Sequence, residues 1–258
     1  MTKIIVCGAC GRMGEKIIEL ILRDKEAELT GAIEAKNHPF LGKNITPKVK
    51  VTDDLEKLIG QCDVVVDFTI PGATMEHMGA VASALKAMVI GTTGFSDEEL
   101  QTIKKLSEKT ACVMSPNMSP GVNLLFKISE EAAALLKGYD VEIIEVHHNK
   151  KKDAPSGTAR KLAEKIALAQ GSKSVIYGRS KTAPVRKQGE ICIHAVRAGD
   201  VVGEHTVVFA GEGERIELVH KAQSRDNFSC GAVMAAKWVR GRHAGLYDMA
   251  DVLGLKKG

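Results

Sequence analysis

Lys3-Ile4-Ile5-Val6-Cys7-Gly8-Ala9-Cys10-Gly11-Arg12-Met13-Gly14 is an apolar strand running into a glycine turn, and Glu15 to Arg23 continues as a helix. Strand, glycine turn and helix in that order open a βαβ unit, in which glycines let the backbone approach a pyrophosphate seated on the helix N-terminus. The next strand candidate, Glu28 to Ile33, ends in Glu34, twenty residues after Gly14. An acid at that distance accepts hydrogen bonds from ribose hydroxyls. The spacing is Gly-x-x-Gly-x-x-Gly, with Cys10 where the commoner motif has its second glycine. Dinucleotide binding is favoured over an ordinary βα turn because strand, helix and acid all fall where it needs them. Cys7 and Cys10 form a Cys-x-x-Cys, but Cys62, Cys112, Cys192 and Cys230 are scattered and supply no second pair for a metal. Both read as small residues packed at a strand end, and no metal is expected.

The alternation continues. A segment around Val49 to Val51 precedes a helix opened by Thr52-Asp53-Asp54, and Gln61 to Phe68 is apolar enough for a strand buried on both faces, the mark of a parallel sheet. Pro71 opens a helix through Lys86, followed by a strand at Met88 to Ile90, a helix from Ser96 to Glu108 and a strand from Ala111 to Met114. The expected class is α/β, with a Rossmann-type, doubly wound parallel sheet. Ligands bind beyond the carboxyl ends of such strands, where Gly8 to Gly14, Phe68-Thr69, Gly91-Thr92-Thr93 and Ser115-Pro116-Asn117-Met118 fall.

After Asn117 the pattern changes. A helix from Val122 to Leu136 leads to a strand, Val141 to Val146, and then to His147-His148-Asn149-Lys150-Lys151-Lys152-Asp153-Ala154-Pro155-Ser156-Gly157-Thr158-Ala159. Thr158 to Gln170 is helical and closed by Gly171, with Ser156 as its N-cap. Successive strand side chains point to opposite faces, so His147 and His148 are expected to have different roles unless the chain bends there. A run of three lysines is usually a solvated turn, and paired histidines can divide between core and surface. Their coincidence with a helix start, whose free N–H groups attract anions, favours a site for a small dianion. Ile191 to Val196, His205 to Ala210 and Arg215 to His220 read as an antiparallel meander joined by Arg197-Ala198-Gly199-Asp200 and Gly211-Glu212-Gly213-Glu214. A helix from Gly231 to Arg240 precedes the tail. The second part is expected to be α+β with an open mixed or antiparallel sheet.

At 258 residues and 44% hydrophobic content the chain can bury a sizeable core, and its length suggests two domains. Net charge is +4 and aromatics are 4%, with basic residues gathered at Lys150 to Lys152 and Arg179 to Lys187, so no stacking platform for nucleic acid is present. No signal peptide and no bilayer-spanning apolar run is read, and the cysteines are expected to be reduced thiols in a cytoplasm.

With these residues in view the chain resembles the dihydrodipicolinate reductase family, also called 4-hydroxy-tetrahydrodipicolinate reductases. The most specific element is Glu145-x-His147-His148-x-x-Lys151-x-Asp153-Ala154-Pro155-Ser156-Gly157-Thr158-Ala159. The motifs at Gly8 to Gly14, Asp67-Phe68-Thr69, Gly91 to Phe95, Pro116-Asn117, Arg197 to Asp200 and Gly203-Glu204-His205 match in order, so the similarity runs from Lys3 to about Leu253. The resemblance implies hydride transfer from NADH or NADPH to a cyclic dicarboxylate imine with loss of water, in lysine and diaminopimelate biosynthesis. It implies His147 as acid/base residue and Lys151 as proton donor, with His148, Gly157 and Thr158 binding carboxylates. Gly8, Ala9, Cys10, Gly11, Arg12, Met13, Glu34, Gly91, Thr92, Thr93, Ser115, Pro116, Asn117 and Met118 are implied to bind the cofactor. It further implies a dinucleotide domain over 1–117 with a C-terminal return over 225–258, a substrate and oligomerisation domain over 118–224, and a homotetramer. Some relatives carry an arginine after the acid that ends the second strand, where this chain has Ala35 and then Lys36, which leaves the choice between NADH and NADPH open. A semialdehyde or homoserine dehydrogenase is the alternative enzyme, but no cysteine stands in a nucleophile context beyond the nucleotide turn. A nucleotide-sensing protein without catalysis is the other, and it has no need of His147 and Lys151.

Overall fold

The computed structural model describes residues 1–172, 174–181 and 184–256. It divides into two compact units, Met1–Pro120 with Asp226–Gly258, and Gly121–Arg225.

The first unit begins with β1 (Thr2–Cys7), α1 (Arg12–Arg23), β2 (Ala27–Ile33), β3 (Val51–Thr52), α2 (Leu55–Leu58) and a 3-10 turn, Ile59–Gln61. It continues with β4 (Val64–Asp67), α3 (Pro71–Ser83), β5 (Ala87–Ile90), α4 (Asp97–Ser107) and β6 (Ala111–Met114). The second unit follows α5 (Pro120–Leu135) with β7 (Asp140–His147), α6 (Gly157–Gln170), β8 (Ser174–Tyr177), β9 (Glu190–Arg197), β10 (Gly203–Gly211) and β11 (Glu214–Ala222). The chain then returns to the first unit through α7 (Asp226–Val239), β12 (Gly245–Tyr247) and α8 (Met249–Val252).

Among the described residues, seven parallel strands form the first sheet in the order β12-β6-β5-β4-β1-β2-β3. Alternation along β1 explains how both faces are covered. Ile4 and Val6 pack with Ile17 and Ile21 of α1 and Ala232 and Val239 of α7, while Ile5 and Cys7 pack with Met78 and Val81 of α3 and Ile103 of α4. This is the doubly wound arrangement expected from the sequence. α7 starts earlier than Gly231, and β12 and α8 carry too short a pattern to be read from sequence.

The second sheet, in the order β11-β10-β7-β9-β8, is mixed. The meander is corrected here: β9 and β10 are not neighbours, and Arg197-Ala198-Gly199-Asp200 is not a hairpin. β7 lies between them, parallel to β9 and antiparallel to β10. The reason is burial. Val141 and Ile143 of β7 form the middle of a core shared with Ile191 and Ile193 on one side, Val207 and Phe209 on the other, and α5 and α6 across one face. A parallel β7–β9 pair needs a crossover, which α6 and β8 provide. Of the three strands expected to form the meander, β10 and β11 form a hairpin, turning through Gly211 to Glu214 with Gly213 at φ +78°.

Candidate active site

In the first unit the carboxyl ends of β1, β2, β4, β5 and β6 carry the loops singled out above. Gly8 takes a φ of +76°, and a Cβ there meets the Phe68 carbonyl oxygen at 2.7 Å. Gly14 lies so close to the turn that a Cβ comes 2.0 Å from the Gly8 carbonyl oxygen, so only glycine lets α1 pack onto β1. Gly11 is the N-cap of α1, and no side chain caps that helix. Its first-turn amides remain suited to an external anion. Ala9 is buried, Cys10 and Met13 are half-buried against the core, and Arg12 is exposed. The Glu34 carboxylate accepts from the Cys10 amide at 2.9 Å and from the Ala35 amide at 3.0 Å, which places the acid beside the turn.

Thr92 is buried, and its hydroxyl accepts from the Thr69 amide at 3.1 Å, tying Gly91-Thr92-Thr93 to the loop after β4. Ser115 donates to the Asn117 carbonyl at 2.8 Å across Pro116, and Asn117 Oδ1 accepts from the Ser119 amide at 2.9 Å. Met118 buries its side chain in the core beside α7, and its carbonyl lies against Gly231. A glycine cradle, an uncapped helix start and an adjacent acid are what a pyrophosphate and its ribose require, and the residues fit a dinucleotide.

In the second unit, the end of β7 holds a charged cluster. Glu145 and His147, two residues apart on β7, point to the same face, and His148 follows the end of the strand. The Glu145 side chain is 0% exposed and accepts from His147 Nδ1, from Arg197 Nη1 and Nη2 at 2.9 and 2.8 Å, and from the Ser156 amide at 3.0 Å. Arg197 stands opposite His147 in the β7–β9 register, and its fork matches the carboxylate bidentately. Burial pushes the Glu145 carboxyl up, but the bonds from His147, Arg197 and the Ser156 amide outweigh it and hold it at about 2. His205 packs its ring 5.2 Å from that of His147, edge to face, with Nε2 3.2 Å from the Ser156 hydroxyl. Burial, and then the charge of His147, pull His205 down to about 3, so it is neutral beside its neighbour. Gly203 lies against His147, where a Cβ comes 3.0 Å from Nε2.

Lys151 pairs with Asp153 at 2.8 Å in the loop between β7 and α6, and its amide donates to the His148 carbonyl at 3.1 Å. Among the described residues, His148 Nδ1 is buried without a hydrogen-bond partner. Ser156 caps α6, accepting from the Ala159 amide at 3.2 Å, with Gly157 and Thr158 as the first helical residues. His147, His148, Lys151, Gly157 and Thr158 thus share one strand end and one loop of the second unit, whereas the residues expected at the cofactor all belong to the first. Sequence reasoning misses Glu145, Arg197 and His205 as working parts. The acid two residues before His147 was a usable signal; Arg197 and His205 stood in matching motifs, but their approach to His147 depends on which strands pair.

The family described as dihydrodipicolinate reductase, N-terminus, matches residues 2–118, and its C-terminal counterpart matches residues 121–253. The chain belongs to the dihydrodipicolinate reductase family. The 4-hydroxy-tetrahydrodipicolinate reductase of Geotalea daltonii is 48% identical, covering 99% of this chain and 100% of that protein. The same enzyme of Aquifex aeolicus is 50% identical over 98% of this chain and 99% of its own length. Among solved structures, dipicolinate-bound dihydrodipicolinate reductase from a Paenisporosarcina species is 31% identical, with a TM-score of 0.83 over 97% of this chain and 98% of that one.

The pKa of His205 makes an acid-stability prediction for this dihydrodipicolinate reductase family member. An unfolded histidine takes up a proton near pH 6.5, whereas folded His205 resists until about 3. Its contribution is therefore complete above pH 6.5 and is lost progressively as pH falls towards 3, because the unfolded state binds the extra proton. Glu145, held at about 2, adds a further loss below about pH 4.5. Urea midpoints should fall steadily from pH 7 to pH 5, and His205→Asn should flatten that slope. A wild-type midpoint that stays level over the interval contradicts it.

Proposed function

We propose that this chain reduces 4-hydroxy-tetrahydrodipicolinate to tetrahydrodipicolinate with NADH or NADPH, releasing water, in lysine and diaminopimelate biosynthesis. The observation that carries the reading is the Glu145–His147 pair, locked by Arg197, one loop away from Lys151 and the start of α6 in a chain of this family. Bound NADH or NADPH supplies the hydride, which is the cofactor's own chemistry. Gly8, Ala9, Cys10, Gly11, Arg12 and Met13 hold the pyrophosphate, Glu34 the ribose, and the loops Gly91 to Thr93 and Ser115 to Met118 the rest of the dinucleotide.

The chain's own residues orient the dicarboxylate and manage protons. The ionised Glu145 takes the Nδ1 proton of His147 in a hydrogen bond, which selects one tautomer and leaves Nε2 as the atom that exchanges a proton. His205, neutral against the same ring, adds no second positive charge as His147 takes up that proton. Lys151 donates a proton to the substrate, and His148 with the Gly157 and Thr158 amides binds its carboxylates at the start of α6. Hydride, proton and departing water balance as one two-electron reduction with dehydration.

The direct test follows NADH and NADPH oxidation by the purified chain, with substrate made in place by the upstream synthase from pyruvate and aspartate semialdehyde. Synthase-dependent oxidation is the expected result; none with either cofactor, from protein that still binds NADH, overturns the reaction. Glu34 favours a free 2′-hydroxyl, while Lys36 offers a cation to a 2′-phosphate. The kcat/KM values for the two cofactors should differ by less than about tenfold, with NADH at least competitive. A strong NADPH preference contradicts this.

A homotetramer formed through the second sheet is part of the same reading. Ile144, Val196 and Val219 are 38%, 41% and 50% exposed on the face opposite α5 and α6, apolar side chains among polar ones that a partner sheet can cover. Light scattering that returns the mass of a single chain rules it out. Six unpaired cysteines support a reducing, cytoplasmic setting.

A further inference from the structure

Asp67 ends β4 with its side chain fully buried, and no lysine or arginine pairs with it among the described residues. Instead its two oxygens are divided between different partners. Oδ1 accepts from the Thr69 amide at 3.0 Å and from the hydroxyls of Thr69, Thr74 and Thr92 at 2.6, 3.0 and 3.2 Å. Oδ2 faces Nδ1 of His77 at 2.6 Å. The hydroxyls also reach one another, Thr69 to Thr74 at 3.2 Å and Thr74 to Thr92 at 2.9 Å. A carboxylate removed from water needs such a shell of donors, and a shell this full fixes the groups that compose it.

Those groups come from three places. Thr69 is in the loop after β4, Thr74 and His77 are on α3, and Thr92 is in the loop after β5. The glycine cradle leans on the same frame, since Gly8 abuts the Phe68 carbonyl and Gly91 is covered by the Phe68 ring, where a Cβ comes 2.2 Å from ring carbons. Moving Phe68-Thr69 therefore moves the walls of both flanking loops. Cys7, Asp67 and His77 lie close enough together to suggest a metal site, their ligand atoms within 4.8 Å of one another. The carboxylate and ring, however, are bonded directly at 2.6 Å, closer than the roughly 3.3 Å that separates two ligands on one tetrahedral zinc.

We infer that Asp67 is a positioning residue for the nucleotide site: with His77 behind it, its carboxylate holds the Phe68-Thr69 and Gly91-Thr92-Thr93 loops in their cofactor-receiving geometry without touching the cofactor. The inference rests on the reading that the first unit binds NADH, and goes beyond it by locating what preorganises the loops.

Full-length protein is titrated with NADH by its fluorescence, and Tm and steady-state constants are measured alongside. Asp67→Ala removes the acceptor for every donor in the shell and should weaken NADH binding about thirtyfold, with kcat at saturating NADH within about threefold of wild type. Asp67→Asn keeps Oδ1 for the threonines and turns an amide N–H towards Nδ1 of His77, so binding should recover to within about threefold. Thr74→Val deletes one strut without altering the carboxylate and should weaken binding about threefold, which serves if Asp67→Ala does not fold. Val65→Ala, on the same strand and buried in the core, is the control for lost stability.

NADH affinity unchanged in folded Asp67→Ala and Thr74→Val overturns the inference. So does an equal loss in Val65→Ala at matched Tm, since the effect then reports stability alone. Failure of the wild type to bind NADH is a different outcome, because it removes the cofactor reading on which the inference stands.

Discussion

His147→Gln is expected to lower turnover about a thousandfold, the middle of the range for a positioned acid or base, while the Kd for NADH stays within about twofold. Glutamine keeps a side chain that can hydrogen-bond to Glu145 but cannot exchange a proton near neutral pH. Because the buried Glu145 bonds both to the ring and to Arg197, the variant must be shown to fold; a Tm within a few degrees of wild type suffices. Near-normal turnover in folded protein sinks the role given to His147. A loss confined to NADH binding does the same, since His147 and the nucleotide loops belong to different units.

The second large effect is at Lys151. Lys151→Ala should raise the KM for the dicarboxylate about tenfold and lower kcat about a hundredfold, because one ammonium serves as both carboxylate partner and proton source. Lys151→Arg separates the two: its guanidinium still attracts a carboxylate but does not release a proton in this pH range, so KM should recover while kcat does not. Asp153, whose carboxyl is held down by its bond to Lys151, is half-exposed, and its loss should matter far less. Equal rescue of both constants by arginine would show that Lys151 supplies charge alone.

Local signals account for what the sequence made legible. Most of the first sheet was readable because β1, β4, β5 and β6 are largely apolar runs and helices such as α4 carry a start signal, where Ser96 with Glu99 forms a capping box. The His147-to-Thr158 segment was readable because its residues are neighbours in the chain. The order of the second sheet was not, since β9 can satisfy its ladder beside β10 or beside β7, and the choice depends on a core assembled from distant residues. The same limit hid the cluster around His147: Glu145 lies on its own strand, but Arg197 and His205 arrive on β9 and β10 through strand register. Asp67 was visible only as part of a motif. That four donors meet on one of its oxygens depends on how α3 and the loop after β5 fold over it.

The return of the chain to its first unit sets an order of events during synthesis. α7 contributes Ala232, Ala235, Ala236 and Val239 to the core beneath β1 and β4, and β12 completes the edge beside β6. As the polypeptide leaves the ribosome, Gly121–Arg225 is available to close on itself while the dinucleotide-binding part still lacks one wall. The earliest-made strands are thus the last to be sealed, and until translation reaches α7 their apolar face is open to chaperones, to aggregation or to nucleotide arriving early.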